Sequence, residues 1–372
     1  MQFWSLMKTT AIMISTSADV SCSCPAEANY VNARMPFIRA CCLLLFLSLI
    51  ASVGAAAAEN MEITPFNSSN QSPLVQIYGL PHDTSADITP PGTFRTTLNQ
   101  DLSSNYTDSS TAREQITLDG EAYRVALAAR YGIAPRCEVG IEIPYIFQGG
   151  GFLDSFIIDW HNTFGLSQGG RENAPKNRIL YSYRKDGVQK LLVDRFGSGV
   201  GDISLTGGVG LYDTRSGGRH DRVSLKGAVK LPTGDSTFLL GSGGTDVMLQ
   251  LCGSSSGNGE WGTLGMYASA GALVMSKGEV LRDQHNQVAG VGTFGFGWGP
   301  VSWISFKAQL NGTTPLYRGS SLHELSKIPF LLIFGGTITF PGEYLLDIGV
   351  AEDVAVAASP DVSFHLGLSK RF

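Results

Sequence analysis

The chain has 372 residues, a formal net charge of −5 and only 16% charged residues. No basic block predicts a nucleic-acid partner, and no acidic tail predicts disorder. Glycine is abundant, with 45 residues, but it follows no Gly-X-Y period, so a collagen-like structure is excluded. Glycine at this frequency among β-branched and aromatic residues favours closely spaced, curved strands.

The N-terminal region contains a secretory signal. Residues 41–53 are apolar, Arg34 and Arg39 precede them, and an alanine run follows up to Ala58. This order of basic, apolar and small residues predicts cleavage after Ala58; an uncleaved anchor is the alternative. A bacterial lipoprotein carries its lipid on a cysteine that follows the apolar core. Cys41 and Cys42 come before that core, which argues against lipidation.

We expect translation to begin at Met35, so that residues 35–58 form the signal peptide and residues 1–34 are a mis-assigned leader. The mature chain keeps only Cys137 and Cys252, which is not a disulfide framework. They could pair with each other, although two lone small residues are the simpler interpretation.

Residues 59–92 are polar and rich in proline, and they predict an extended periplasmic lead-in to the next domain. This lead-in could also fold into the interior of that domain.

From residue 93 to the C-terminus the apolar residues recur with a period of two. Residues 123–131, for example, alternate as Tyr-Arg-Val-Ala-Leu-Ala-Ala-Arg-Tyr, and residues 362–372 alternate equally well. Twelve such stretches of about 9–13 residues match the length that a tilted strand needs to cross a bilayer. Short connections alternate with longer ones, as in outer-membrane barrels.

The pattern therefore predicts an all-β fold, a closed antiparallel transmembrane β-barrel of about twelve strands over residues 93–372, with a helical extracellular loop. Aromatic pairs such as Tyr123 and Tyr131 fit the two girdles at the membrane interfaces. The alternative is a soluble β-sandwich, whose strands also alternate.

Charged residues fall on the opposite face of these strands, which would line the barrel interior. Such charges either pair across strands to hold the wall or set the selectivity of a polar path. The candidates for lining the lumen are Arg95, Arg124, Arg130, Glu138, Glu142, Asp202, Lys226, Lys230, Lys307, Asp347 and Arg371.

The connection 148–200 carries apolar residues at helical spacing, with Phe152, Phe156, Trp160 and Phe164 as the candidates of interest. We expect an amphipathic helix that packs on the barrel lip, folds inward as a constriction, or touches lipid headgroups. Residues 178–193 predict a hairpin, either within the loop or extending the wall.

Catalytic signals are weak. The mature chain has no His-Glu-x-x-His or phosphate-binding motif, and we expect no catalytic residue, no metal and no cofactor. The candidate bases would be the six histidines, His82, His161, His220, His285, His323 and His365.

Several stretches resemble a bacterial outer-membrane family of uncharacterised barrels, domain of unknown function 3187. They are residues 70–74 with 77–81, the loop from 150–157 to 169–171, 199–202, and 230–234. The last two are also similar to barrels associated with aromatic-degradation pathways. The resemblance implies an outer-membrane barrel and supplies no substrate.

The leading functional hypothesis is passive or facilitated passage of a small solute, with hydrophobic compounds among the options. A structural or surface-interaction barrel without an open pore is the second, and a lipid-modifying outer-membrane enzyme the third. The expected partners are outer-membrane lipid, the unidentified solute, and the barrel-assembly machinery, which would act on the last strand ending at Phe372.

Overall fold

The computed structural model describes residues 62–165, 168, 170–353 and 359–372. The expected leader 1–34 and signal peptide 35–58 lie outside the described residues.

One fifteen-stranded antiparallel sheet makes up the fold, and twelve of its strands close into a barrel. The prediction of a closed barrel of about twelve strands is confirmed. The barrel strands are β1 (Phe94–Ser110), β2 (Glu114–Ala134), β3 (Cys137–Gly149), β7 (Ser204–Ser216), β8 (Arg219–Lys230), β9 (Asp246–Gly259), β10 (Gly262–Met275), β11 (Val288–Val301), β12 (Ile304–Thr313), β13 (Phe330–Phe340), β14 (Tyr344–Asp353) and β15 (Val362–Arg371).

Closure joins the first strand to the last, with Arg95 opposite Arg371 and Ser104 opposite Val362. Apolar residues on the outward face of the strands are exposed, for example Leu249 at 54% and Phe296 at 60%, whereas the inward face is buried. Since a soluble sandwich would bury these residues between its sheets, the outward apolar face excludes that alternative.

The connections lie in two sets at opposite ends of the barrel. At one end, called here the short-turn end, β2–β3, β7–β8, β9–β10, β11–β12 and β13–β14 are joined by tight turns. The other, long-loop end carries the helices α1 (Asp154–Phe164) and α2 (His323–Ser326), with single 3-10 turns at Arg171–Asn173 and Ser236–Phe238.

Three strands outside the ring extend the wall at the long-loop end. The hairpin β4 (Leu180–Lys185) and β5 (Val188–Val193) pairs with residues 114–119 of β2, and β6 (Gly197–Val200) pairs with β3. The expected hairpin 178–193 therefore extends the wall. Its turn is left-handed at Asp186 (φ 50°) and Gly187 (φ 77°), which the Asp-Gly pair accommodates.

Several strands run further than their apolar alternation indicates. Residues 104–120 form a β1–β2 hairpin with a turn at 111–113 rather than a long loop, and 254–260 belong mostly to β9. These extensions carry serine, asparagine or threonine on both faces, so a period of two disappears from the sequence. Backbone hydrogen bonding does not require apolar side chains, and the ladders continue.

Some wall glycines leave room for what lies inside the barrel. A Cβ atom on Gly265 or on Gly297 would come within 2.5 or 2.6 Å of the Ile63 side chain. Both glycines face inward, and their missing side chains allow the N-terminal segment to pass against the wall.

Candidate functional site

Residues 62–92, named here the lumen segment, fill the interior of the barrel. It has three parts. The ascending limb, residues 62–71, runs from the short-turn end toward the long-loop end. The apex, residues 72–80, turns beneath the long loops, and the descending limb, residues 81–92, returns to the start of β1. The Phe66 N–H donates to Gln309 Oε1 at 2.8 Å, and Pro91 bridges to Gly132. Of the two placements left open by the sequence, a lead-in outside the barrel and one inside it, the described residues occupy the second.

Hydrogen bonds between neighbouring residues stabilise the turn at the apex. The Ser72 N–H donates to Asn70 Oδ1 at 2.9 Å, and the N–H groups of Val75 and Gln76 donate to the Ser72 carbonyl at 2.8 and 2.9 Å. The asparagine side chain thus mimics a backbone turn, and the chain reverses there.

An apolar cluster closes the long-loop end around this apex. Leu74, Ile77 and Tyr78 are at most 4% exposed and pack with loop residues such as Tyr183 and Leu322. The Tyr317 hydroxyl also donates to the Leu74 carbonyl at 2.8 Å. Because this cluster joins the apex to several loops, it is the driest contact of the lumen segment.

The descending limb carries carboxylates that meet cations of the wall. Asp87 pairs with Arg95, with Arg222 at 2.9 Å and with Arg371 at 3.5 Å. Burial opposes ionisation of Asp87, but Arg95 and Arg222 outweigh it and hold its pKa well below the usual range.

Asp83 forms the second such anchor. Its carboxylate lies 3.1 Å from Arg130 and 2.5 Å from Lys226. Burial again opposes ionisation, yet the two cations bring the pKa of Asp83 down to about 2. Below it, Thr89 donates from its N–H and hydroxyl to Glu138 at 2.8 and 2.7 Å.

A chain of polar side chains crosses the lumen where the two limbs approach each other. Ser69 lies 3.0 Å from Nε2 of His82, whose Nδ1 is 3.4 Å from Glu142, and Glu142 also accepts from Arg124. On the other side of the lumen, Asp101 accepts from Ser68 at 2.9 Å and lies 2.8 Å from His365. These contacts join both limbs to the wall.

His82 gives the docking of the lumen segment a pH dependence. Burial and Arg124 lower the pKa of His82 from 6.5 to about 4, so the docked imidazole is neutral at pH 7. As the pH falls, an undocked His82 takes up a proton before a docked one does. The stabilisation that His82 gives to docking is therefore lost between about pH 6.5 and 4. The pKa of Asp83 lies below this window, so Asp83 does not contribute to the change.

We expect His82→Gln, which keeps a hydrogen-bonding group but cannot titrate, to flatten this dependence. The thermal midpoint of the wild type, followed by circular dichroism in detergent, should fall more steeply between pH 7 and 4 than that of the variant. Equal slopes would contradict the assignment of the pH dependence to His82.

The contacts of the lumen segment leave clefts between it and the wall. One, at the short-turn end, is lined by Glu62, Asp87, Arg95 and Arg371 among others. Another lies beside His82. Charged side chains line both clefts, together with a comparable area of apolar surface.

Ten of the eleven residues predicted to line the lumen lie on barrel strands with their side chains inward, Asp202 lies in the connection between β6 and β7, and their role in passage stays a prediction. Four of the eleven pair with each other: Lys307 with Asp347 at 2.6 Å, and Lys230 with Asp202. The others meet the lumen segment or Arg124 with Glu142, as described above.

The acidic partners on the lumen segment were missed, although a signal for them exists. The predicted lumen set has seven cations and four acids, Glu138, Glu142, Asp202 and Asp347. A buried surplus of positive charge requires partners from elsewhere in the chain. Asp83 and Asp87 supply two of them.

Three of the four loop-helix candidates, Phe152, Phe156 and Trp160, lie near the outside of the barrel, not in its bore. Phe152 and Phe156 are exposed at 66% and 47%, and Phe156 lies 6.0 Å from both Trp160 and Phe364, between ring centroids. An inward constriction by α1 is therefore wrong. The side chain of Phe164 is outside what the structure describes.

Among residues 62–353 and 359–372 as far as they are described, no helix is long and apolar enough to cross a membrane. The same residues contain no group of three His, Cys, Asp or Glu side chains arranged to hold a metal ion. Cys137 and Cys252 are both free thiols.

A twelve-stranded barrel closed by its own N-terminal segment has the architecture of bacterial outer-membrane proteins. The chain belongs to the family described as "Protein of unknown function (DUF3187)", whose model matches residues 41–372. The resemblance noted in the sequence is thereby confirmed. No curated protein matches the sequence.

The structure is similar to the COG4313 outer membrane channel from Pseudomonas putida F1, with a TM-score of 0.50 and 14% identity over 77% of this chain and 98% of that chain. The Ralstonia pickettii toluene transporter TbuX gives a TM-score of 0.31 at 9% identity over 84% and 96%. The CymD monoaromatic hydrocarbon channel gives 0.28 at 12% identity over 86% and 94%. The last two likenesses are too distant to bear on function, and the first concerns the fold.

Proposed function

We propose that this protein is an outer-membrane barrel that admits a small solute when the lumen segment shifts, and that the described arrangement is its closed state. The signal peptide would direct the chain across the inner membrane. The short-turn end would face the periplasm and the long-loop end the cell exterior, as is usual for such barrels.

The observation that carries this proposal is the kind of contact that holds the lumen segment. Below the apex it is held by ion pairs and hydrogen bonds beside clefts lined by charged side chains, including Asp83 to Lys226 at 2.5 Å. Water can replace such contacts far more readily than it can replace a dry apolar core. A segment held in this way is suited to move without unfolding the wall.

The lining also bears on the solute. A path through the lower lumen would pass the charged side chains of Arg95, Glu138 and Lys226, which favours a water-soluble solute over a hydrophobic one. A hydrophobic solute would find its most extensive matching surface, among the described residues, in the apolar cluster around the apex.

A structural barrel without a pore is the second candidate, and the filled lumen is the observation that favours it. An enzyme has less support. Ser69, His82 and Glu142 are arranged in the order of a nucleophile, base and acid, but Ser69 is only 4% exposed and the lowered pKa of His82 makes it a weak base. The proposal therefore assigns this array to docking.

A reversible tether between apex and wall tests the proposal. Gly79 and Asp246 suit it, because a Cβ on Gly79 would lie 3.1 Å from that of Asp246, a few tenths of an ångström short of the usual disulfide separation. The variant Gly79→Cys/Asp246→Cys is made with Cys137→Ser and Cys252→Ser, and each single cysteine serves as the matched control.

We expect planar bilayers to show no conductance from the oxidised double variant and conductance after reduction. Equal conductance in both states would mean that passage does not require the lumen segment to move. No conductance from the reduced variant, the controls or the wild type would favour the structural barrel.

A further inference from the structure

Helix α1 packs against the outward face of the barrel wall. Val362 points outward from β15, as Leu366 and Leu368 do, yet it is 1% exposed while they are 43% and 44% exposed. Leu153 and Ile157 account for the difference, because they form one cluster with Val362. The helix therefore covers surface that elsewhere on the barrel stays open.

Leu102 and Phe364, which also point outward from their strands, pack against the same cluster. The contact thus spans the wall around the junction of β1 and β15. A helix that had folded over the mouth or into the bore would instead contact inward-facing residues.

A second stripe, offset by one residue from the packed one, is aromatic, with Phe152 and Phe156 exposed and Trp160 half-buried. We name Phe152, Phe156 and Trp160 the aromatic flank. Its rings continue into the wall: Phe152 lies 6.5 Å from Tyr123, and Phe156 lies 6.0 Å from Phe364, between ring centroids. Tyr123 and Phe364 both belong to the outward, apolar face of their strands.

The third stripe is polar. Ser155 and Asn162 are exposed and lie roughly 100–120° around the helix from Phe156, whereas the exposed Asp159 and Thr163 border the aromatic flank. The helix thus has one face on the wall, one apolar face beside the wall, and one hydrophilic face. This division matches a helix lying in the plane of a membrane interface.

We propose that the aromatic flank of α1 is a lipid-docking surface, seated at the boundary between headgroups and acyl chains of the outer leaflet. The inference rests on the proposed membrane location. Lipid is the occupant that the structure favours, because the flank is continuous with the apolar face of the barrel rather than an isolated patch. Aromatic side chains are suited to this depth, where amphipathic rings are enriched.

Docking in this way would fix the depth and tilt of the barrel at the long-loop end. The opposite rim has its own aromatic residues, with Trp261, Trp298 and Trp303 exposed at 81%, 43% and 47%. Two groups of aromatic residues at opposite rims would keep the apolar band of the wall aligned with the hydrocarbon core of the bilayer.

Tryptophan fluorescence tests the proposal, because brominated acyl chains quench only indoles that contact lipid. The mature barrel with Trp261→Phe, Trp298→Phe and Trp303→Phe reports on Trp160. A companion with Trp160→Phe, Trp261→Phe and Trp303→Phe reports on Trp298 in the wall. Both are reconstituted into phosphatidylcholine vesicles with bromines placed either near the glycerol backbone or near the chain ends.

We expect shallow bromines to quench Trp160 more strongly than deep ones. Phe152→Ser/Phe156→Ser should remove most of that quenching, whereas Asn162→Ala on the polar stripe should leave it unchanged. Quenching of Trp298 without quenching of Trp160 would overturn the docking proposal alone. Absence of quenching at both positions would instead overturn the membrane location on which it rests.

Discussion

Asp83→Asn/Asp87→Asn should raise the open probability of the barrel well above that of the wild type. Asparagine keeps the size of each side chain but removes the charges that meet Arg95, Arg130 and Lys226. Removing one partner of a buried ion pair costs about 3–5 kcal/mol. Even about 3 kcal/mol lost from docking would change the ratio of closed to open barrels about a hundred-fold.

Single-channel recording in planar bilayers measures this as open probability. Asp186→Asn is the matched control, because Asp186 also pairs with an arginine but lies in the exposed turn of the β4–β5 hairpin. Recordings from the double variant that match the wild type would show that these anchors do not keep the barrel closed.

The same charges predict the selectivity of the opened barrel. Once the lumen segment has moved, the wall keeps eight cations, the seven predicted ones and Arg222, against six acids, the four predicted ones with Asp101 and Asp246. A lumen of this sign favours anions, because fixed positive charge raises their local concentration. The reversal potential in a salt gradient should therefore show anion preference, and cation preference would contradict this account of the lining.

The barrel was predictable from the sequence because lipid and lumen impose different side chains on alternate residues. The run Tyr123–Tyr131 and the last strand ending at Phe372 show this without any structural information. The extensions at 104–110 and 254–259 carry mostly polar side chains on both faces, so their sequence shows no alternation, although Ser104 and Asn105 are buried.

The candidate site was only half predictable. The wall charges follow from strand alternation, but the lumen segment has no periodic structure, and its contacts are set by tertiary packing. Asp87 meets Arg222 across 135 residues of sequence, a separation that no local pattern encodes. The excess of cations in the predicted lining was the one available signal.

Arg171→Met should release helix α1 from the wall while leaving the barrel intact. Arg171 is 3% exposed and donates to Asp154 Oδ1 at 2.6 Å, Ser104 Oγ at 3.0 Å and Asp361 Oδ2 at 2.5 Å. Methionine fills similar space but removes the cation shared by the buried Asp154 and the partly buried Asp361, at a cost of up to about 3–5 kcal/mol. Arg171 contacts β1 through Ser104 and the Tyr106 ring, but it takes no part in the backbone pairing of the strands, so the loss should stay local.

Limited proteolysis measures the release. Residues 150–178 should become susceptible to cleavage in Arg171→Met, whereas the neighbouring Glu172→Gln, which changes an exposed side chain, should stay as resistant as the wild type. Resistance in both variants would show that the arginine does not hold the helix in place.

The pH dependence of the same variant separates charge from packing. Burial raises the pKa of Asp361 to about 6 although Arg171 opposes the shift, so losing the arginine raises it further. A carboxyl whose pKa is raised in the docked state favours docking when protonated, and this contribution is lost as the pH rises through that pKa. We therefore expect Arg171→Met to regain resistance at pH 5, and Arg171→Met/Asp361→Asn to be resistant at pH 7 as well. If neither change restores resistance, the packing of the arginine side chain, rather than its charge, keeps α1 on the wall.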